Sequence, residues 1–427
     1  MSTTLAPFDT DAIRARFPSL RREVGGRPVA YFDGPGGTQV PAECIAGMRD
    51  YLETSNANHG GAFAASEESD AILARAHEAA AAFLGTGDPG EVSFGANATT
   101  ITFAVSRAIG RTLDPGDEIV VTRLDHDCNV APWLAVADER GAVVRWVGIR
   151  EDDVTLDMDA LEAAIGPRTR LVAVGLASNA VGTINPIRRI AVLAHHAGAH
   201  LWVDAVHAAP HLPIDVVGLG ADYLVCSPYK FFGPHMGLLW GRRDLLEALP
   251  VFKVRPADDG IPSRMETGTQ MHEAQAGLLG TFRYLEWVGT GMGGAAGEPG
   301  TDEGRGERLH AAMRAIRAHE LAMTPALLDG LASIPGIRIR GILDPARFEE
   351  RCPTVAFTLE GRHPRDVSAF LGARGIYTWD GDYYAYELIR ALGLAESGGM
   401  VRVGLAHYNT TDEIDRLVEA LGELVAG

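Results

Sequence analysis

Asp204 closes the apolar run Leu201-Trp202-Val203, and Lys230 follows 26 residues later, just past a second apolar run, Tyr223–Cys226. An acid and an amine at the ends of neighbouring strands project into one crevice. That pair suits pyridoxal phosphate. The lysine forms a Schiff base with the aldehyde, and the aspartate pairs with the pyridinium nitrogen. The ring then stays protonated and accepts electrons when a substrate Cα loses its proton. Taken singly, a strand-end aspartate is most simply a cap and a lysine a surface residue. Together, beside the aromatic and glycine residues of Tyr229 to Pro234, they favour the cofactor.

Such a cofactor needs a phosphate cradle. Gly95-Ala96-Asn97-Ala98-Thr99-Thr100 leads into a helical pattern whose first N–H groups and dipole attract anions. Ala98 and Thr99 are the expected contacts, and Ser227 can add a hydroxyl. His126, in Asp125-His126-Asp127-Cys128-Asn129, follows the strand-like run Glu118–Thr122 and can stack on a pyridine face. The histidines at 195, 196, 200, 207 and 211 do not read as a metal site. His195 and His196 are helix neighbours that point in different directions, whereas ligands must converge. Gly34-Pro35-Gly36-Gly37 is not the GxGxxG of dinucleotide folds.

These residues need a scaffold of alternating strands and helices. Helical patterns are expected at Ser69–Leu84, Asn97–Leu113, Asp157–Ile165 and Ile187–Ala197. Strands are expected at Glu118–Thr122, Leu171–Leu176, Leu201–Val203, Tyr223–Cys226 and Gly237–Trp240. Short apolar runs separated by helices imply an α/β fold with a mostly parallel sheet covered on both faces. The stretch 289–306 is rich in glycine and reads as a loop or linker. Beyond it, a long helix from about Glu307 to Leu331 precedes strands at Thr354–Leu359, Gly375–Thr378 and Met400–Leu405. Helices at Pro364–Ala373 and Thr411–Val425 complete a smaller α/β domain. The expected division is 30–288 for a large cofactor-binding domain, then the 289–306 loop, then a small C-terminal domain of 307–427 joined by residues 1–29.

Composition narrows the partners. The 427 residues carry 38 Lys+Arg against 56 Asp+Glu, a formal charge of −18 that disfavours nucleic acid or an anionic membrane. With 46% hydrophobic and 22% charged residues, the chain is composed like a globular protein. Cys44, Cys128, Cys226 and Cys352 lie far apart without a CxxC pair, as in a reduced cytoplasmic protein. The acidic N-terminus does not resemble a signal peptide, and no uncharged stretch reads as a membrane span.

At this point the sequence resembles a known family. Tyr31 to Gly37, the 95–100 turn, Leu124 to Trp133, Ala177 to Thr183, Val203 to His207, Ser227 to Gly237, Glu266-Thr267-Gly268-Thr269, and Val401 to Leu405 with Tyr408-Asn409-Thr410 occur in the order found in class V aminotransferases of fold type I. Within that family the sequence resembles the cysteine desulfurase branch and its desulfurase-like relatives. The resemblance implies a seven-stranded-type sheet plus a smaller C-terminal domain. It implies Lys230 as the Schiff-base lysine, Asp204 on the pyridine nitrogen and His126 stacked on the ring. His207 stands where the family has a glutamine against the phenolic oxygen, and Tyr229 where it often has a histidine. Asn179 and Arg402 match residues that hold a substrate carboxylate. Thr269 matches a residue that reaches the phosphate of a neighbouring subunit, which implies a homodimer.

One departure bears on the reaction. Desulfurases carry a nucleophilic cysteine on a small-domain loop, whereas Gly375 to Tyr386 contains no cysteine and no arginine. A tyrosine cannot store sulfane sulfur, so persulfide transfer is not expected. Trp379 and Tyr384 fall at substrate-side positions, while Tyr377 and Tyr386 are expected to pack. Cys128 and Cys226 read as small buried residues at strand ends. The expected activity is C–S cleavage by β-elimination on cysteine, an S-substituted cysteine or a similar small amino acid. A transaminase, epimerase or oxidative deaminase using the same cofactor is the alternative.

Overall fold

The computed structural model describes residues 8–292 and 304–426. A seven-stranded sheet is built from β1 (Val92–Gly95), β2 (Glu118–Thr122), β3 (Val143–Val147), β4 (Thr169–Gly175), β5 (His200–Asp204), β6 (Tyr223–Cys226) and β7 (Gly237–Gly241). Their spatial order is β1-β7-β6-β5-β4-β2-β3, with β7 antiparallel to both of its neighbours and the other pairs parallel. Side chains alternate across the sheet. Val120, Val172, Leu201, Val203 and Leu224 enter one core, while Ile119, Val121, Leu171, Trp202 and Val225 enter the opposite one. Period-two strands that are apolar on both faces need helices on both sides.

Those helices include α1 (Thr10–Ala15), α2 (Ala42–Thr54), α3 (Ala64–Leu84), α4 (Ala98–Gly110), α5 (Ala131–Arg140), α6 (Met158–Ala164) and α7 (Ile187–His196). α3 begins five residues before the expected Ser69 and stops at Gly85, whose φ of 74° is the left-handed conformation of a helix C-cap. α8 (His272–Gly289) and α9 (Arg305–Ala332) flank the glycine-rich stretch, of which 293–303 lie outside the described residues.

α9 belongs to both cores. Leu309, Met313 and Ile316 pack with the large sheet, whereas Met323, Leu327, Leu328 and Leu331 pack with the C-terminal strands. The second sheet is wholly antiparallel in the order β8-β9-β11-β10, formed by β8 (Ile337–Arg340), β9 (Thr354–Leu359), β10 (Trp379–Gly381) and β11 (Met400–Gly404). α10 (Pro364–Gly372) and α11 (Thr411–Ala426) cover it. The strand expected over Gly375–Thr378 is split. Ile376–Tyr377 pair in parallel with Ala30–Tyr31, and the chain crosses at Thr378 to join β11.

The N-terminal residues Ile13, Phe17 and Leu20 enter the core of the large sheet. Phe17 packs against Phe232 and Tyr284 as well as Tyr408, and Arg14 pairs with Glu413 at 3.0 Å. Among the described residues, no helix is long and apolar enough to cross a membrane.

Candidate active site

The carboxyl ends of β4, β5 and β6 converge on a cavity lined by Ala98, Thr99, His126, Asp204, His207, Ser227 and Lys230. β5 and β6 run parallel with Asp204 opposite Val225, so the loop after β6 returns Lys230 toward Asp204. Lys230 lies on a short 3-10 turn, Pro228–Lys230, and its Nζ donates to the Pro35 carbonyl. Burial, then the nearby Arg402 guanidinium, lowers its ammonium to about 7, against a partial opposing effect from Asp204. At neutral pH much of this amine is therefore an uncharged nucleophile.

Asp204 is buried. Its Oδ1 accepts from the Val206 amide at 2.8 Å, and its Oδ2 accepts from the Cys128 thiol at 3.5 Å. Burial raises its carboxyl above the ordinary value. A carboxylate so desolvated is suited to a cationic partner such as a pyridinium. Cys128 therefore lines the cavity and does more than fill space at a strand end. Burial and the neighbouring Asp204 hold its thiol well above the ordinary value, which disfavours a thiolate.

His126 accepts from the Cys128 amide through Nδ1 at 3.0 Å, and burial, with Lys230 and Arg402 nearby, lowers it to about 4. It is a neutral, flat ring facing the cavity. Behind it, buried Asp125 accepts from the Gly175 amide at 2.5 Å and the Thr122 hydroxyl at 2.7 Å, fixing the loop.

Helix α4 supplies the anion end. Asn97 Oδ1 caps the Thr100 amide at 2.8 Å, so the Ala98 and Thr99 amides, which have no intrahelical partner, face the cavity. Gly237 permits this approach, because a Cβ there would lie 2.5 Å from the Asn97 carbonyl carbon. His207 is buried with Nε2 3.0 Å from the Thr354 hydroxyl and Nδ1 without a protein partner.

A second, outer cavity of about 470 Å3 opens beside the first and shares Lys230, His126 and Asn179 with it. Arg402, in β11, donates through Nη1 to the Asn179 carbonyl at 2.7 Å, and its guanidinium lies 4.4 Å from the Tyr383 ring centre. Burial lowers Arg402 to about 10, so it remains cationic at neutral pH. Arg402 Nε, Asn179 Oδ1 and Tyr383 Oη are buried without a protein partner. Each unpaired group of this kind costs stability unless a ligand satisfies it.

Trp379 and Tyr384 also line the outer cavity. Tyr384 stacks on His126 with centroids 5.4 Å apart. Tyr383 and Tyr384 both adopt left-handed backbone, at φ 52° and 58°, which is strained for bulky residues. Three hydrogen bonds hold that turn: Asn179 Nδ2 to the Tyr383 carbonyl, the Asp127 amide to the Tyr384 carbonyl, and the Tyr384 amide to Asp382 Oδ1.

The structure thus gathers Lys230, Asp204, His126, Ala98, Thr99, His207, Ser227, Tyr229, Asn179, Arg402, Trp379 and Tyr384 around two adjoining cavities. Thr269 lies apart from them. It lines surface depressions with Arg264, Met271 and His272. Tyr377 packs edge-on against Tyr31, as expected, but Tyr386 is exposed and lies under Arg390. Sequence reasoning missed the Pro35 carbonyl, the thiol on Asp204 and the selection of Tyr383 to lie against Arg402.

Pyridoxal phosphate fits these residues. An uncharged buried amine, a buried carboxylate, a flat neutral imidazole and a helix N-terminus match its aldehyde, ring nitrogen, ring face and phosphate. The unpartnered His207 Nδ1 adds polar capacity beside them.

The family model for aminotransferase class V matches residues 30–292 and 309–417. A probable cysteine desulfurase 2 of Mycobacterium leprae is 34% identical, covering 98% of this chain and 97% of its own length. A probable cysteine desulfurase of Halobacterium salinarum is 34% identical, covering 99% and 98%. The apo structure of a cysteine desulfurase from Thermococcus onnurineus superposes with a TM-score of 0.85 at 25% identity over all of both chains. A cysteine desulfurase from Escherichia coli, with an S-sulfonic acid, gives 0.81 at 27% identity over 98% and 99%. With a family match across most of its length and relatives that span it end to end, the chain belongs to the aminotransferase class V family of pyridoxal-phosphate enzymes.

Proposed function

We propose that this enzyme cleaves the C–S bond of cysteine or an S-substituted cysteine by β-elimination, without a cysteine nucleophile. The relatives' names support the substrate class. The carrying observation is the outer cavity, where the 379–386 stretch presents Trp379, Tyr383 and Tyr384 and no thiol, and where the cysteine of the lining, Cys128, is turned onto Asp204. All four cysteines are buried, and burial raises each thiol above its ordinary value, Cys352 to about 12. None is suited to attack a substrate sulfur.

Lys230, Asp204, His126, His207, Tyr229 and Ser227, with the amides of Ala98 and Thr99, would hold the cofactor, which supplies an electron sink for charge developing at Cα. Arg402 would hold the substrate carboxylate through its unpaired Nε–H, flanked by Asn179, whose unpaired Oδ1 accepts and would take a donor of the substrate such as its amine. Lys230 Nζ, in its uncharged form, takes the Cα proton. The β carbon–sulfur bond then breaks with its electron pair on sulfur. After hydrolysis the products are a thiol or sulfide, pyruvate and ammonia.

Residues 30–288 carry the cofactor contacts in this scheme, and 307–427 with 1–29 carry Arg402 and the aromatic loop. We place the protein in the cytoplasm as a homodimer in which Thr269 reaches the partner's phosphate site. The test is an amino-acid panel with the pure holoenzyme. Thiol and pyruvate in equal amounts are expected, and replacing all four cysteines should leave turnover largely intact. Keto acid without thiol would instead show transamination, and a persulfide trapped on one cysteine would show a relocated desulfurase nucleophile.

A further inference from the structure

Thr354 and His207 meet across the boundary between the two sheets. Thr354 opens β9 and is fully buried, while His207 follows β5 and is also buried. The Thr354 hydroxyl lies 3.0 Å from His207 Nε2. The opposite strand leaves room for it. Thr354 pairs with Gly404 of β11, where a Cβ would press to 3.3 Å from the hydroxyl oxygen.

Hydrogen-bond accounting decides which of the two atoms donates. Burial, with His211, Lys230 and Arg402 nearby, holds His207 well below its ordinary value, so the ring is neutral. A neutral imidazole carries its proton on one nitrogen only. If Nε2 held that proton and donated to Thr354, the hydroxyl's own proton would be sealed in the core. His207 is the one hydrogen-bond partner of that hydroxyl among the described residues, so its proton would have no acceptor. If the hydroxyl donates to Nε2 instead, its proton is satisfied and the ring proton sits on Nδ1. Buried donors are rarely left without an acceptor, which favours the second arrangement. Nδ1 has no protein partner, and His207 lines the Lys230 cavity, so this donor is left for what fills the cavity.

Pyridoxal phosphate offers its aldehyde to Lys230, its ring nitrogen to Asp204 and its phosphate to the Ala98 and Thr99 amides. Its phenolic oxygen, an acceptor on the ring carbon beside the aldehyde, still needs a donor. We propose that Thr354 is a positioning residue for the cofactor: its hydroxyl fixes the tautomer of His207, which presents Nδ1–H to the phenolic oxygen. The inference rests on the Lys230 cavity holding the cofactor, not on which substrate bond breaks. A hydrogen bond to the charged form of an acid favours that form, so the bound cofactor should lose its proton at lower pH than it would without this donor.

Nitrogen NMR of the full chain, histidine-labelled and freed of cofactor, reads the tautomer directly. His207, assigned by its loss in His207→Gln, should carry its proton on Nδ1, and a protonated Nε2 would overturn the proposal. In the holoenzyme, the absorbance of the bound cofactor is titrated against pH. Thr354→Val keeps the shape of the strand residue, removes the hydroxyl and should raise the midpoint by about 0.5–1 pH unit, the size of one ordinary hydrogen bond. Thr354→Ser should return it to the wild-type value. In a His207→Gln background the amide donates with no tautomer to set, so Thr354→Val should leave the midpoint in place. A wild-type midpoint indifferent to Thr354→Val would overturn the proposal. So would an equal displacement in both backgrounds, which marks a general effect of packing. Neither readout depends on turnover, so both stand if no cysteine derivative is cleaved and only the lyase reading fails.

Discussion

Lys230 gathers the consequences of burial in a single atom. Its Nζ rests on the Pro35 carbonyl, and burial brings its ammonium from an ordinary 10.5 to about 7. Condensation with an aldehyde requires the free amine. Cofactor capture by the apoprotein should therefore rise between pH 6 and 8 and level off above about 8, whereas an exposed lysine would continue to gain toward pH 10. Stopped-flow absorbance at a series of pH values checks this, and a rate still climbing at pH 9 would contradict the lowered value. Lys230→Ala should abolish the borohydride-fixed adduct while circular dichroism and the melting temperature stay near wild type. The removed cation is buried and partly opposed by Arg402, so its loss does not open the core. A persistent reducible adduct in that variant would assign the role to another lysine.

At the scale of elements, the strand ends were legible because a β/α alternation sends each carboxyl end to one side of the sheet. Asp204, Lys230 and His126 follow from that rule alone. The contacts that complete the site join segments remote in sequence, and local periodicity carries no record of them. Pro35 meets Lys230 and Cys128 meets Asp204 across loops far apart in the chain, and Thr354 meets His207 only where the two sheets pack. The split of the Gly375–Thr378 strand has the same origin. Ile376–Tyr377 are claimed by Ala30–Tyr31, which leaves Trp379 to pair opposite Arg402. Composition alone could not distinguish buried Tyr383 from exposed Tyr384 and Tyr386, since their difference is set by the turn.

The turn after β4 shows how tightly these junctions are fitted. Gly182 has φ 80°, and a Cβ there would lie 2.7 Å from the Cys352 carbonyl oxygen and 2.9 Å from that of Thr354. Its own amide and carbonyl bond Ser178 and Cys352. Gly182→Ala should cost about 1–3 kcal/mol from left-handed strain and the close contact, seen as a lower melting temperature. Because the same turn carries Asn179, the variant should raise KM for the amino acid more than it weakens cofactor binding. Equal loss of both would show that the damage spreads beyond the turn.

At the scale of the whole molecule, Thr269 is exposed. It lies away from the Lys230 cavities, beside depressions bordered by the exposed Phe252, Val254 and Met271. Apolar side chains grouped in this way favour burial against another surface. In a two-fold dimer the same patch serves both subunits, so each Thr269 can complete the partner's site. Complementation distinguishes this arrangement from action within one chain. Lys230→Ala homodimers lack the amine, and Thr269→Asp homodimers place a negative charge against the phosphate, so each should have little activity. In a mixed dimer, the chain with intact Lys230 receives an intact Thr269 from its partner, giving one working site. Random reassortment makes half the dimers mixed, with one of two sites active, so activity should recover to about a quarter of wild type. If Thr269 serves its own chain, every mixed dimer pairs a site without its lysine with one without its threonine, and mixing restores nothing.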